Sequence, residues 1–243
     1  MVIENPWTGL RELTAARIAL GRCGHSLPTR ELLAFQLAHA RARDAVRRSL
    51  DVASLAIHPA VVLASAAGNR TTYLRRPDLG RQLDPASASV LQAGEWDAAF
   101  VVADGLSATA VHRHGAALID ALTPELEGWR IAPTCIVRQG RVAIGDEIGA
   151  RLGARLVVML IGERPGLSSP DSLGAYLTWS PRAGRTDAER NCVSNIRDGG
   201  LDPLLAARRI AALMRAARHQ ELTGVRMTAT GEWTIPDRRS DDD

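Results

Sequence analysis

No lysine occurs in this chain; every basic residue is arginine. Schiff-base catalysis, which needs a lysine amine, is therefore excluded. Cysteine is scarce too. Cys23, Cys135 and Cys192 are odd in number and no pair has Cys-x-x-Cys spacing. Neither a disulfide framework nor a structural zinc site is expected, and a reducing cytosol fits best. Charge of neither sign prevails, with 30 basic residues against 27 acidic ones. A nucleic-acid surface, which requires a clustered basic patch, has little support. No apolar run approaches the ~18 residues of a membrane span; the longest, Leu156–Ile161, has the length of a buried strand. The opening MVIENPW lacks the basic-then-apolar pattern of a secretory signal.

Several motifs are missing as well. The sequence contains no HExxH, no GxxxxGK[ST] phosphate loop, no GxSxG and no GxGxxG. His112 and His114 stand two apart on a predicted helix, which puts them on different faces and makes a poor metal site. No catalytic set and no metal site are predicted. The chemistry then belongs to a cofactor or to another chain.

What is present is an α/β pattern over a length that allows a sizeable core. Residues 5–51 read as helical. Asn5 caps, Pro6 takes the first helical position, and Leu10, Leu13 and Ile18 follow at helical spacing; Gly21 and Gly24 break it before a second helix opens at Pro28-Thr29. Val61–Ser65, Ala98–Ala103, Thr134–Val137, Leu156–Ile161 and Tyr176–Trp179 are strand candidates. Helices are predicted from Asp104 or Ser107 to Leu122 and from Val142 to Leu152. The last helix has Asp202 as cap and Pro203 in its first turn. Strand, short polar turn, helix is the unit of parallel sheets. The predicted fold is α/β, a mainly parallel three-layer Rossmann-like sheet domain over 53–230. A small helical N-terminal domain over 1–52 precedes it, and a disordered tail over 231–243 follows.

Arg141 to Arg197 holds the candidate site. Gly145, Gly149 and Gly153 fall four apart on one helix face. The face serves either tight packing on the sheet or the approach of a large flat ligand or a partner chain. Asp146 and Glu147, early in that helix, offset its dipole. Glu163 follows a strand, where ligands bind in open α/β sheets; it is either a ligand acceptor or a loop carboxylate paired with Arg164 or another arginine. Val142 sits at the equivalent end of the preceding strand, so both can face one crevice. Cys192 lies in a polar loop with Asn191, Ser194 and Asn195. It reads as a small packed thiol, because a nucleophile wants a histidine and none lies between His114 and His219.

The blocks Asn5–Val46, RPDLGRQL (Arg76–Leu83), VVADGLSATAV (Val101–Val111), QGRVAIGDEIGARLGAR (Gln139–Arg155), IGERPGLSSPDSLGAYLT (Ile161–Thr178) and RNCVSNIR (Arg190–Arg197) together resemble the small subunit of ethanolamine ammonia-lyase. The resemblance runs from Asn5 to about Met227. It implies an adenosylcobalamin-dependent lyase that turns ethanolamine into acetaldehyde and ammonia by radical chemistry. It further implies that a large TIM-barrel subunit carries most catalytic residues, while the small subunit closes the cobalamin site. The expected assembly is a trimer of dimers of large–small pairs. Matched by motif, the cobalamin-contacting positions are Val142, Glu163 and Cys192. The DxHxxG signature of histidine-ligated cobalamin proteins is missing, so the cofactor is expected to keep its own base on cobalt. Enteric members carry a longer N-terminal extension associated with delivery to a bacterial microcompartment. This chain opens almost at Asn5-Pro6-Trp7, which favours a cytoplasmic enzyme over an encapsulated one. The alternative is a stand-alone α/β small-molecule-binding protein without catalysis.

Overall fold

The computed structural model describes residue 5 and residues 7–229. Among the described residues six strands form one sheet: β1 (Ala60–Ala64), β2 (Trp96–Ala103), β3 (Thr134–Arg138), β4 (Ala154–Gly162), β5 (Leu173–Trp179) and β6 (Asn191–Ile196). Their spatial order is β1-β3-β2-β4-β5-β6. The helices are α1 (Thr29–Arg47), α2 (Arg70–Arg75), α3 (Pro85–Ser89), α4 (Ala108–Ala110), α5 (Ala116–Leu122), α6 (Ile144–Leu152), α7 (Pro203–Gln220) and α8 (Val225–Ala229); a π-helical turn, Val111–Gly115, joins α4 to α5.

The α/β class is as expected, but the sheet is mixed. β1, β3, β2 and β4 run parallel. β5 pairs with β4, and β6 with β5, antiparallel. The reason is the length of the links. A parallel crossover needs about a dozen residues or more, usually a helix; residues 163–172 form no helix and simply turn the chain back beside β4.

Alternation along the central strands sends side chains to two cores. Ala98, Phe100 and Val102 of β2 and Val158 of β4 join Leu118 and Leu122 of α5 and Ile210 and Met214 of α7. Ala99, Val101 and Ala103 of β2 and Val157 and Met159 of β4 join Ile144 and Ile148 of α6 on the other face. Helix α6 packs on β2 and β4. The same face of β5 and β6 is left with Tyr176 half-buried and Cys192 exposed.

The glycines of α6 serve packing. A Cβ on Gly149 would lie 2.2 Å from Val157 Cγ2 and 2.7 Å from Pro181 Cγ. Gly153 is the left-handed C-cap, with φ +72°, and sits against the Gly94 carbonyl. The helix thus rides directly on β4 and offers this face to no ligand. Asp146 is more than a dipole partner. It is buried and receives both Nη1 and Nη2 of Arg190, at 3.2 and 2.7 Å. Glu147 accepts the Leu83 N–H at 3.0 Å and bonds to Arg151.

The N-terminal segment departs from expectation. Among the described residues before 48, only Thr8–Glu12, a 3-10 turn, and α1 are helical. Asn5 Oδ1 accepts the Trp7 N–H as a cap would, whereas Pro6 lies outside the described residues. Leu10 and Leu13 are exposed. A helical pattern without a surface to pack on does not hold a helix. Cys192 also stands elsewhere than expected, in strand β6 rather than a loop. Val193 and Ile196 bury inward while Cys192, Ser194 and Asn195 face out, so polar composition concealed the strand. The tail over 231–243 lies outside the described residues.

The packing of α6 generates a prediction. Gly149→Ala should lower the unfolding free energy by about 1–3 kcal/mol, the range for overpacking a filled site. Gly9→Ala, with nothing within 4 Å of its added carbon, should change it little. Denaturant titration measures both, and a stable Gly149→Ala protein would contradict the close-packed reading.

Candidate functional site

A cleft of about 440 Å³ opens at the carboxyl ends of β2, β3 and β4. Gly105 and Leu106 line it after β2, Arg141 and Val142 after β3, and Glu163 and Arg164 after β4; Tyr176 of β5 closes one side. The chain leaves β2 toward α4 and α5 on one face and β3 toward α6 on the other. Diverging exits of this kind open a crevice outside the strand ends. A second cleft, of about 490 Å³, adjoins the first and shares Arg141, Val142 and Tyr176 with it.

Asp104 fastens the floor. Its Oδ1 accepts the Gln139 N–H at 2.7 Å, tying the end of β2 to the turn after β3. Its Oδ2 receives Arg70 Nη1 at 3.3 Å, and the same Nη1 donates to the Gly105 carbonyl at 2.8 Å. Burial pushes the Asp104 carboxyl up to about 6, against the pull of Arg70 and the backbone N–H groups. Two glycines let the loops close. Gly105 has φ +52°, and a Cβ on Gly162 would lie 2.0 Å from the Ser107 carbonyl oxygen. Beside them Tyr73 is fully buried, with two guanidinium groups over its ring, Arg70 at 4.8 Å and Arg141 at 4.3 Å from the centre.

Two of the three predicted site residues meet in the first cleft, Val142 and Glu163. Val142 is half-buried in the turn that opens α6. Glu163 is half-buried and has no arginine partner among the described residues, Arg164 included, so among them the loop ion-pair alternative does not hold. Its Oε2 accepts from Ser172 Oγ and, at 3.3 Å, from the Asn195 N–H. Its Oε1 lies 2.9 Å from where a Cβ on Gly174 would stand and receives no hydrogen bond from the described residues. Cys192 lines neither cleft but lies directly across the ladder from Tyr176, which lines both. Loss of hydration raises the Cys192 pKa, a bond from the Tyr176 hydroxyl lowers it, and the nearby Glu163 carboxylate raises it again. The net shift is upward, so the thiol stays protonated near neutral pH and makes a poor nucleophile. None of the residues lining either cleft is a histidine.

Arg141, Arg81 and Tyr176 are crevice residues that the sequence reading missed. One signal was available: the chain has two tyrosines, and Tyr73 and Tyr176 both stand at this crevice.

Asp104 yields a pH prediction. Its pKa is near 4 in an unfolded chain and about 6 in the fold. Its contribution to stability is therefore full below about pH 4 and is lost as the pH rises through 6. Asp104→Asn removes that titration. The parent should gain stability relative to the variant on going from pH 7 to pH 4, measured by unfolding at both values. An equal gap at the two pH values would contradict the assignment.

The family model for the ethanolamine ammonia-lyase light chain (EutC) matches residues 4–228. The ethanolamine ammonia-lyase small subunit of Ralstonia nicotianae is 55% identical, with 95% of this chain and 91% of the relative covered. Those of Azotobacter vinelandii and Pseudomonas paraeruginosa are each 54% identical over 94% of this chain, with 90% and 89% of the relative covered. With the model spanning nearly the whole chain and relatives above half identity, the chain belongs to the ethanolamine ammonia-lyase light chain family.

Proposed function

We propose that this chain forms one wall of an adenosylcobalamin site and that a large subunit forms the other. A small subunit implies a large one. The observation that carries the reading is Glu163: one carboxylate oxygen is held by Ser172 and Asn195, and the other, over Gly174, has no protein donor. A carboxylate oriented in this way accepts a hydrogen bond from an amide N–H, and the rim of a corrin is rich in amide side arms. Val142 supplies an apolar contact beside it. Cys192, kept as a neutral thiol, adds a soft van der Waals surface. A few polar anchors in an apolar wall suit such a ligand.

The residues fit this group but do not enclose it. A cleft of about 440 Å³ matches a drug-sized ligand, and cobalamin is several times heavier than that. This wall takes an edge of the macrocycle and leaves the rest to the partner. When bound, the cofactor supplies homolytic cleavage of its cobalt–carbon bond, which initiates the conversion of ethanolamine to acetaldehyde and ammonia. The residues of this chain hold and orient. The large subunit is proposed to be a TIM barrel and the assembly a trimer of dimers of large–small pairs. Apolar surface supports a partner: Trp7, Leu13, Leu33 and Leu37 are each more than half exposed, and apolar groups gathered on one segment mark an interaction surface. Among the described residues no helix is long and apolar enough to cross a membrane.

Two measurements test the proposal. In the reconstituted complex, Glu163→Gln should raise the KM for the cofactor about tenfold, the scale of one charge-assisted hydrogen bond. The KM for ethanolamine should move much less. An unchanged cofactor KM removes Glu163 from the site. Expressed alone, the chain should bind adenosylcobalamin weakly or not at all in equilibrium dialysis; tight binding by the isolated chain would sink the two-chain model.

A further inference from the structure

The second cleft, which adjoins the wall around Glu163 and shares Val142 with it, is lined by four arginines: Arg81, Arg141, Arg185 and Arg190. Two of them are committed. Arg190 is buried and holds Asp146, Thr178 and the Arg185 carbonyl. Arg185 pairs with Glu189 and donates to the carbonyls of Trp179 and Ser180. The other two, Arg81 and Arg141, have no carboxylate within ion-pair distance among the described residues. The Arg141 N–H donates to the Gly80 carbonyl at 2.7 Å, which seats the residue beside Arg81. Its guanidinium carbon stands over the Tyr73 ring, 4.3 Å from the centre, with one contact to the Tyr73 carbonyl at 3.4 Å and a buried Nε that has no partner among the described residues. Asp187 is the one carboxylate lining this cleft; its side chain is 98% exposed, and its nearest cation is Arg190 Nε at 3.4 Å.

A guanidinium held over an aromatic ring, beside a second free one and with donors unspent, is suited to a phosphate group. We infer that Arg81 and Arg141 form a phosphate subsite, and that its occupant is the phosphodiester in the nucleotide tail of the cobalamin held by Val142 and Glu163. The inference rests on the cobalamin reading of the adjoining cleft. Arg141 and Val142 are consecutive and line both clefts, so a ligand edge on Val142 brings an attached anionic arm directly to Arg141. The ring is anchored at Glu163 and the tail at the arginines, at two ends of one crevice.

The test compares adenosylcobalamin with adenosylcobinamide, which lacks the nucleotide tail and its phosphodiester. Binding to the reconstituted two-subunit complex is read by equilibrium dialysis, without turnover. Arg81→Ala, at an exposed position that lines only the second cleft, should weaken adenosylcobalamin about tenfold and leave adenosylcobinamide unchanged; Arg141→Met, whose residue also lines the first cleft, should weaken adenosylcobalamin about tenfold more than adenosylcobinamide. Inorganic phosphate should compete with adenosylcobinamide in neither protein and should weaken adenosylcobalamin only in the parent. Should Arg141→Met fail to fold, Arg81→Ala decides alone. Equal losses for both ligands, or no loss for adenosylcobalamin, overturn the subsite. If Glu163→Gln still weakens both ligands alike in that case, the cobalamin wall stands while the subsite falls. If the parent complex binds neither ligand, both fall together.

Discussion

One buried carboxylate holds the working end of this protein together. Asp104 follows directly on β2, accepts the backbone of the turn after β3 and receives Arg70 from α2. Three segments distant in sequence meet on two oxygen atoms. Burial makes the charge expensive, and the arginine and the N–H groups offset that cost. The gain is positional. With the turn at Gln139 fixed, Arg141 and Val142 start α6 at a set height above the sheet. With Gly105 and Gly162 pressed together, Glu163 leaves β4 at the rim of the same cleft.

The second constraint is the pairing beyond β4. Had the chain crossed over after β4, a helix would have covered the face that carries Tyr176 and Cys192. It turns back instead, and the sheet extends antiparallel as an open ledge. Glycines in α6 draw that helix down onto β4. The crevice is what remains between a low helix and a bare ledge. Its open side, and the exposed apolar residues of the N-terminal segment, are what the proposal of a site shared with a second chain rests on.

The central strands were legible because they are short apolar runs that only a buried sheet can house. The positions of Val142 and Glu163 were legible for the same reason, since strand ends are where a crevice forms. Three features were not. Strand β6 was hidden by Cys192, Ser194 and Asn195, whose outward faces make a polar string. The helical pattern of Leu10, Leu13 and Ile18 gave a period without the packing surface that would hold a helix. Arg81 and Tyr176 reach the crevice through tertiary contact alone, and nothing in their local sequence points there. The two uses of the α6 glycines were both open from spacing, and only the distance to Val157 decides for packing.

Amide hydrogen exchange on the reconstituted two-subunit complex, with and without adenosylcobalamin, tests the central claim most directly. The account predicts cofactor-dependent protection in this chain at residues 139–142, 162–164 and 192–195, and none at the opposite strand ends around residues 56–60. Protection confined to the large subunit would contradict it.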